Sequence, residues 1–66
     1  MNEERHFLVI INEAKNFIIL ERTKIGAIHR AVVNYEVMYP NLGVRTIKII
    51  TMREDAVLKC RELLRL

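Results

Sequence analysis

Phe7-Leu8-Val9-Ile10-Ile11-Asn12-Glu13-Ala14-Lys15-Asn16-Phe17-Ile18-Ile19-Leu20 is the stretch whose reading decides the fold. Two short runs of aromatic, β-branched and aliphatic residues, 7–11 and 17–20, flank a polar segment with an asparagine at each end. β-Branched and aromatic side chains fit a pleated, half-buried surface, and asparagine favours turns. The pattern predicts a β-hairpin with a loop of about five residues. Neither run alternates cleanly between apolar and polar residues. A half-solvated strand would alternate, so both faces of this sheet are expected to be covered.

Moving outward, Thr23 is placed to cap a helix. Ile25, Ile28, Val32, Tyr35 and Tyr39 recur at helical spacing, and Ala27, Ala31 and Met38 widen the stripe. Pro40 disfavours helical geometry at Tyr39, so the helix should end near Met38. Pro40-Asn41-Leu42-Gly43 reads as a turn in which Asn41 and Gly43 can take positive φ. Residues 44–51 form the expected third strand. Thr51-Met52-Arg53-Glu54 has the spacing of a capping box. It opens an amphipathic C-terminal helix, 53–66, with Ala56, Val57, Cys60, Leu63 and Leu64 on one face. Glu54 and Asp55 at its start and Arg65 near its end suit the helix dipole.

The expected architecture is one small α+β domain over residues 1–66, ordered ββαβα, with a three-stranded sheet in the order 2-1-3. The helical crossover is long enough to bring the third strand parallel to the second. The first helix covers one face of the sheet. The second helix has two places to go: over the other face, or away from it to pair with a second copy. Sixty-six residues bury only roughly 60% of their unfolded surface. With 52% hydrophobic residues, some of the oily surface is expected to be intermolecular, and a homodimer follows as an expectation.

Cys60 is the only cysteine, so no disulfide forms within one chain, and the two histidines do not complete a structural zinc set. A lone cysteine suits a reducing compartment. The charged start, Met-Asn-Glu-Glu-Arg-His, and the short apolar run after it do not read as a leader. The longest apolar run, 7–11, is far below the ~20 residues that span a bilayer. A cytoplasmic protein without cofactor or membrane contact is expected, in the host cytoplasm if the source is viral.

Candidate chemistry is sparse. His29 on the first helix has no nucleophile or carboxylate at a fitting helical offset, and His6 precedes the first strand. Cys60 falls on an apolar helix face, where it reads as a small core residue rather than an activated thiol. Asp55 is the only aspartate, and helix-start duty explains it. No paired carboxylates, glycine-rich phosphate loop or nucleophile elbow occurs, so no catalytic or metal site is assigned. The net charge is +3. Arg22, Lys24 and Arg30 cluster around the start of the first helix as candidate contacts for nucleic acid or an acidic partner. Acidic neighbours interrupt most of the basic residues of the chain, these included, as on a solvated surface.

The hairpin, the helix with Ala27 and Ala31, the turn at Pro40–Gly43 and the strand ending near Ile50 together resemble small phage-encoded early proteins that bind host enzymes, of the type that inhibits bacterial RNA polymerase. The resemblance spans residues 7–50. It implies a non-enzymatic protein-interaction module, a viral or mobile-element regulator of a host enzyme. The chain departs from that type in its extra C-terminal helix and basic charge, and no functional residue carries over. Val57, Cys60, Leu63 and Leu64 are the candidate face for a dimer or a partner. The alternative is a small dimeric nucleic-acid-binding protein in which two copies align Arg22, Lys24 and Arg30. Residues 44–66 also resemble the strand and first helix of a ribbon-helix-helix repressor, but that is half of the motif.

Overall fold

The computed structural model describes residues 3–53. In chain order they form β1 (Arg5–Ile11), β2 (Lys15–Glu21), α1 (Lys24–Met38) and β3 (Ile47–Thr51). The sheet has the order β2-β1-β3. β1 is central and antiparallel to both neighbours, so β3 runs parallel to β2 across the helical crossover, as the sequence predicts. The expected C-terminal helix, and with it the full ββαβα layout, lies outside the described residues. Arg53, the last of them, belongs to no regular element.

The hairpin is tighter than its sequence suggests. β1 and β2 pair from Arg5↔Glu21 to Ile11↔Lys15, leaving only residues 12–14 as loop. Asn12 and Glu13 both take positive φ, 54° and 58°, and the Ala14 N–H donates to the Ile11 carbonyl at 3.1 Å. Two successive positive φ values match the twist of flanking antiparallel strands. They also let polar Lys15 and Asn16 join β2. Positive φ therefore falls at Asn12 and Glu13, not at Asn41 or Gly43, where none is found.

Thr23 caps α1 as expected: its backbone is extended and its hydroxyl accepts from the Gly26 N–H at 3.0 Å. The helix stops at Met38, and the Tyr39 N–H closes the last turn onto the Tyr35 carbonyl at 2.8 Å. The buried stripe is rotated from the predicted one. Ala27, Ala31 and Tyr35 are buried, Ile28 and Val32 half-buried, and Ile25 and Met38 exposed. Small alanine side chains let the helix backbone settle close to the sheet, while the larger residues splay to either side.

The core lies between α1 and one face of the sheet. Phe7, Val9 and Ile11 of β1 meet Ile19 of β2 and Ala27, Ala31 and Tyr35 of α1, with Phe17, Val32, Tyr39, Val44 and Ile49 packed around them. Each fully buried aliphatic or aromatic side chain contributes roughly 1.5–3 kcal/mol. Among the described residues only this face carries a helix. The expectation that both faces are covered is therefore met on one side.

Asn12 ties these layers together. Its Nδ2 donates to the Tyr35 hydroxyl at 3.0 Å and to the Gly43 carbonyl at 2.8 Å. Its Oδ1 accepts from the Arg45 and Thr46 N–H groups at 2.6 and 3.1 Å, and its own N–H donates to the Thr46 carbonyl at 2.9 Å. Asn12 thus holds residues 45 and 46 through its side chain and its own N–H, and the β1–β3 ladder begins at Ile11↔Ile47, so β3 starts at Ile47 instead of Val44.

Candidate interaction surfaces

Among the described residues two apolar surfaces lie outside the core, and each follows from the register of its element. Strand residues alternate between faces with period two. Phe7, Val9 and Ile11 point to α1, so Leu8 and Ile10 point away from it. Leu8 pairs with Ile18 on one side and Ile50 on the other, which makes a continuous aliphatic row across the three strands. Leu20 opposes His6 at one end, and Ile10 lies between Asn16 and Lys48 at the other. Ile18, Leu20 and Ile50 are exposed, while Leu8 and Ile10 are half-buried. This surface is the open face.

The second surface runs along the side of α1 turned from the sheet. Ile25, His29, Val33 and Val37 recur every four residues and form one ridge. Ile25 is 81% exposed, Val33 44% and Val37 77%. Met38, the last residue of α1, and Leu42 beyond it are also exposed, each 57%. At about 100° per residue, Glu36 and Arg30 flank the ridge as a charged rim. Single exposed apolar residues need no explanation, but an aligned set rimmed by charge is the form of a contact surface.

The basic cluster is less free than its sequence implies. Arg22 and Lys24 are exposed at the junction of β2 and α1. Arg30 is held: its Nη1 donates to the Leu20 carbonyl at 3.0 Å and lies 3.6 Å from Glu21 Oε2. Glu21 Oε1 also accepts from the Arg22 N–H at 3.0 Å. One carboxylate therefore sits among the three basic residues and offsets part of their field. Gly26 makes room for it, since a Cβ at that position would come within 2.7 Å of Glu21 Cγ.

The two histidines do not converge. His6 is half-buried on the open face and His29 is exposed on the outer ridge of α1, so the sheet and helix lie between them. Among the described residues no three His, Cys, Asp or Glu side chains group to hold a metal ion. The hollow at one end of the sheet is lined by Ile10, Glu13, Thr46, Ile47 and Lys48, a single acid beside a single amine. Lys15 stands over the Tyr39 ring, 5.1 Å from its centroid. Hydrogen bonding to Tyr39, then attraction to the same residue, holds the Lys15 ammonium above the ordinary lysine pKa. Val57, Cys60, Leu63 and Leu64 lie outside the described residues.

The sequence reading missed Asn12 and the outer ridge. An asparagine closing an apolar run is a signal for positive φ, but its four side-chain bonds depend on partners 23–34 residues away. The spacing of the apolar residues of α1 predicts one stripe that includes Ile25, whereas the structure leaves Ile25 in solvent.

Comparison with known protein families, with curated proteins and with solved structures finds no match. No helix of the described residues is long and apolar enough to cross a membrane.

Proposed function

We propose that the chain is a non-enzymatic protein-interaction module that docks a partner on the outer ridge of α1. The observation that carries this reading is the alignment of the exposed Ile25, Val33 and Val37 along one ridge of α1. Ile25 and Val37 bury little of their side chains within the fold. Buried by a partner, each would contribute on the order of 1.5–3 kcal/mol. A helix ridge fits an apolar groove, and the Arg30 and Glu36 rim would set orientation. A regulator supplied by a phage or mobile element, acting on a host enzyme, is the biological form that the resemblance of residues 7–50 suggests.

The test is capture from a bacterial lysate by the tagged chain, run beside Val37→Glu and Ile25→Glu. Both positions are exposed, so both variants should fold. The expected result is one stoichiometric protein retained by the wild type and lost from both variants. Retention of nothing beyond the chain itself, or equal retention by all three, contradicts the reading.

Nucleic-acid binding through Arg22, Lys24 and Arg30 is the weaker alternative, because Glu21 sits among them and engages Arg30. A fluorescence titration at two salt concentrations separates the readings. Phosphate contacts strengthen steeply as salt falls, whereas apolar docking does not.

A further inference from the structure

The two edges of the sheet are finished differently. The Asn12 N–H donates to the Thr46 carbonyl and the Met52 N–H to the His6 carbonyl, both at 2.9 Å. Both contacts continue the β1–β3 register, so Leu8↔Ile50 and Ile10↔Lys48 are the hydrogen-bonded pairs of that ladder. Ile47, Ile49 and Thr51 therefore turn their backbone N–H and C=O groups away from β1. Among the described residues no hydrogen bond reaches those groups. The same alternation makes Asn16, Ile18 and Leu20 the outward residues of β2. There Arg30 crosses the edge and donates to the Leu20 carbonyl at 3.0 Å. A charge planted on an edge hinders the approach of another strand. Lys48, the one charged residue of β3, gives the opposite edge no such guard, because its backbone is spent on β1 and its side chain belongs to the open face.

We infer that β3 pairs with β3 of a second copy, antiparallel and centred on Ile49. The strand is complementary to itself in that register. Ile49 faces the second copy's Ile49, Ile47 faces its Thr51, and Lys48 faces its Ile50. Every outward N–H and C=O of the strand then meets an outward partner. β-Branched residues suit such cross-strand pairs, and no charge opposes its like. Sliding the copies by two residues one way sets Lys48 against Lys48, a like-charge pair. Sliding them the other way sets Ile47 against Arg53, beyond the end of the strand. Charge and length thus select the register centred on Ile49.

The pairing doubles the three-stranded sheet into the order β2-β1-β3-β3-β1-β2. Its two-fold axis stands perpendicular to the sheet, so both α1 helices lie on the same face. Ile47, 40% exposed, and Ile49, half-buried at the margin of the core, gain cover from the strand beside them. The outer ridges of both helices stay in solvent. This inference therefore goes beyond the partner reading and does not depend on it.

Ile47→Pro tests the pairing in the full-length chain. Position 47 opens the strand and its N–H points outward, where proline is tolerated. The variant keeps the ladder to β1 and loses a donor to the second copy. Asn16→Pro places the same lesion on the β2 edge, and Val37→Glu alters the outer ridge; circular dichroism checks the fold of each. Sedimentation equilibrium over about 20–500 µM should show a dimer for the wild type, Asn16→Pro and Val37→Glu. Ile47→Pro should weaken it roughly tenfold or more. Hydrogen exchange followed by NMR in the wild type reads the edge itself and decides the matter even if Ile47→Pro fails to fold. The amides of Ile47, Ile49 and Thr51 should exchange about tenfold or more slowly in the concentrated sample than in the dilute one, while those of Asn16 and Ile18 should not change. A wild type that stays monomeric throughout the range overturns the proposal. So does a dimer in which the Ile47, Ile49 and Thr51 amides exchange at the dilute rate, since it associates through another surface. Loss of the dimer in a folded Val37→Glu assigns the contact to the outer ridge and overturns it as well.

Discussion

The two faces of the sheet are made from the same strands and nearly the same residues, yet they differ in fate. In β1, Phe7, Val9 and Ile11 are sealed under α1, while their neighbours Leu8 and Ile10 face away from it. Hydrophobicity does not separate the two sets. What separates them is the presence of a described helix on one side and not the other. The lesson is that an uninterrupted apolar strand states a demand for two covers without saying where they come from. A chain of 66 residues can meet the second demand from its own sequence, from a copy or from another protein.

Substitutions on the sealed face should have the largest effect. Phe7→Ala removes a side chain that is 3% exposed and contacts both layers. It should cost about 3–5 kcal/mol, comparable with the whole stability of so small a domain. The expected outcome is loss of the cooperative thermal transition in circular dichroism. A normal melt would mean that the α1 side is not the principal core.

The next effect lies where the sealed face is joined to β3. Asn12→Ala removes four side-chain hydrogen bonds and leaves alanine at φ 54°. A loss of about 2–3 kcal/mol in urea unfolding is expected. Asn12→Gly keeps the backbone freedom and isolates the hydrogen bonds, so it should recover part of that loss. Identical values for the two variants would show that φ at Asn12 carries no cost.

Smaller still, and of opposite sign, is Glu13→Gly. Glu13 sits at φ 58° with an exposed side chain. Glycine relieves the strain, and the variant should gain about 0.5–1 kcal/mol in urea midpoint analysis. A loss would assign the Glu13 carboxylate a role in the adjoining hollow.

The smallest effect concerns Lys15 over Tyr39. The folded pKa of Lys15 is raised above 10.5. Its contribution is therefore fully present below that value and disappears as pH rises through the folded pKa. The stability difference between wild type and Lys15→Met should shrink as pH climbs above that range. A difference constant through it would show that the ammonium is not what Tyr39 recognises.

Much of the scaffold was legible in the residues themselves. The hairpin, the 2-1-3 order, the Thr23 cap and the stop before Pro40 rest on local chemistry and on the reach of a crossover, both readable along the chain. The loop length was not, because Lys15 and Asn16 enter β2 only through the paired positive φ of Asn12 and Glu13. The buried side of α1 was misread at Ile25 and Met38, because alanines score as weakly apolar although close approach of helix to sheet requires them. The start of β3 depended on Asn12, whose partners Gly43, Arg45 and Thr46 are distant in sequence. Of the candidate site, Arg22, Lys24 and Arg30 lie near the start of α1, while the engagement of Arg30 by Glu21 depends on β2 and α1 meeting in space.

The claim that the core is the face of the sheet sealed under α1 is tested most directly by a double-mutant cycle between Val9→Ala and Ala31→Gly. Urea unfolding of the two single variants and the double variant should reveal a coupling of about 0.5–2 kcal/mol. Strict additivity would contradict it.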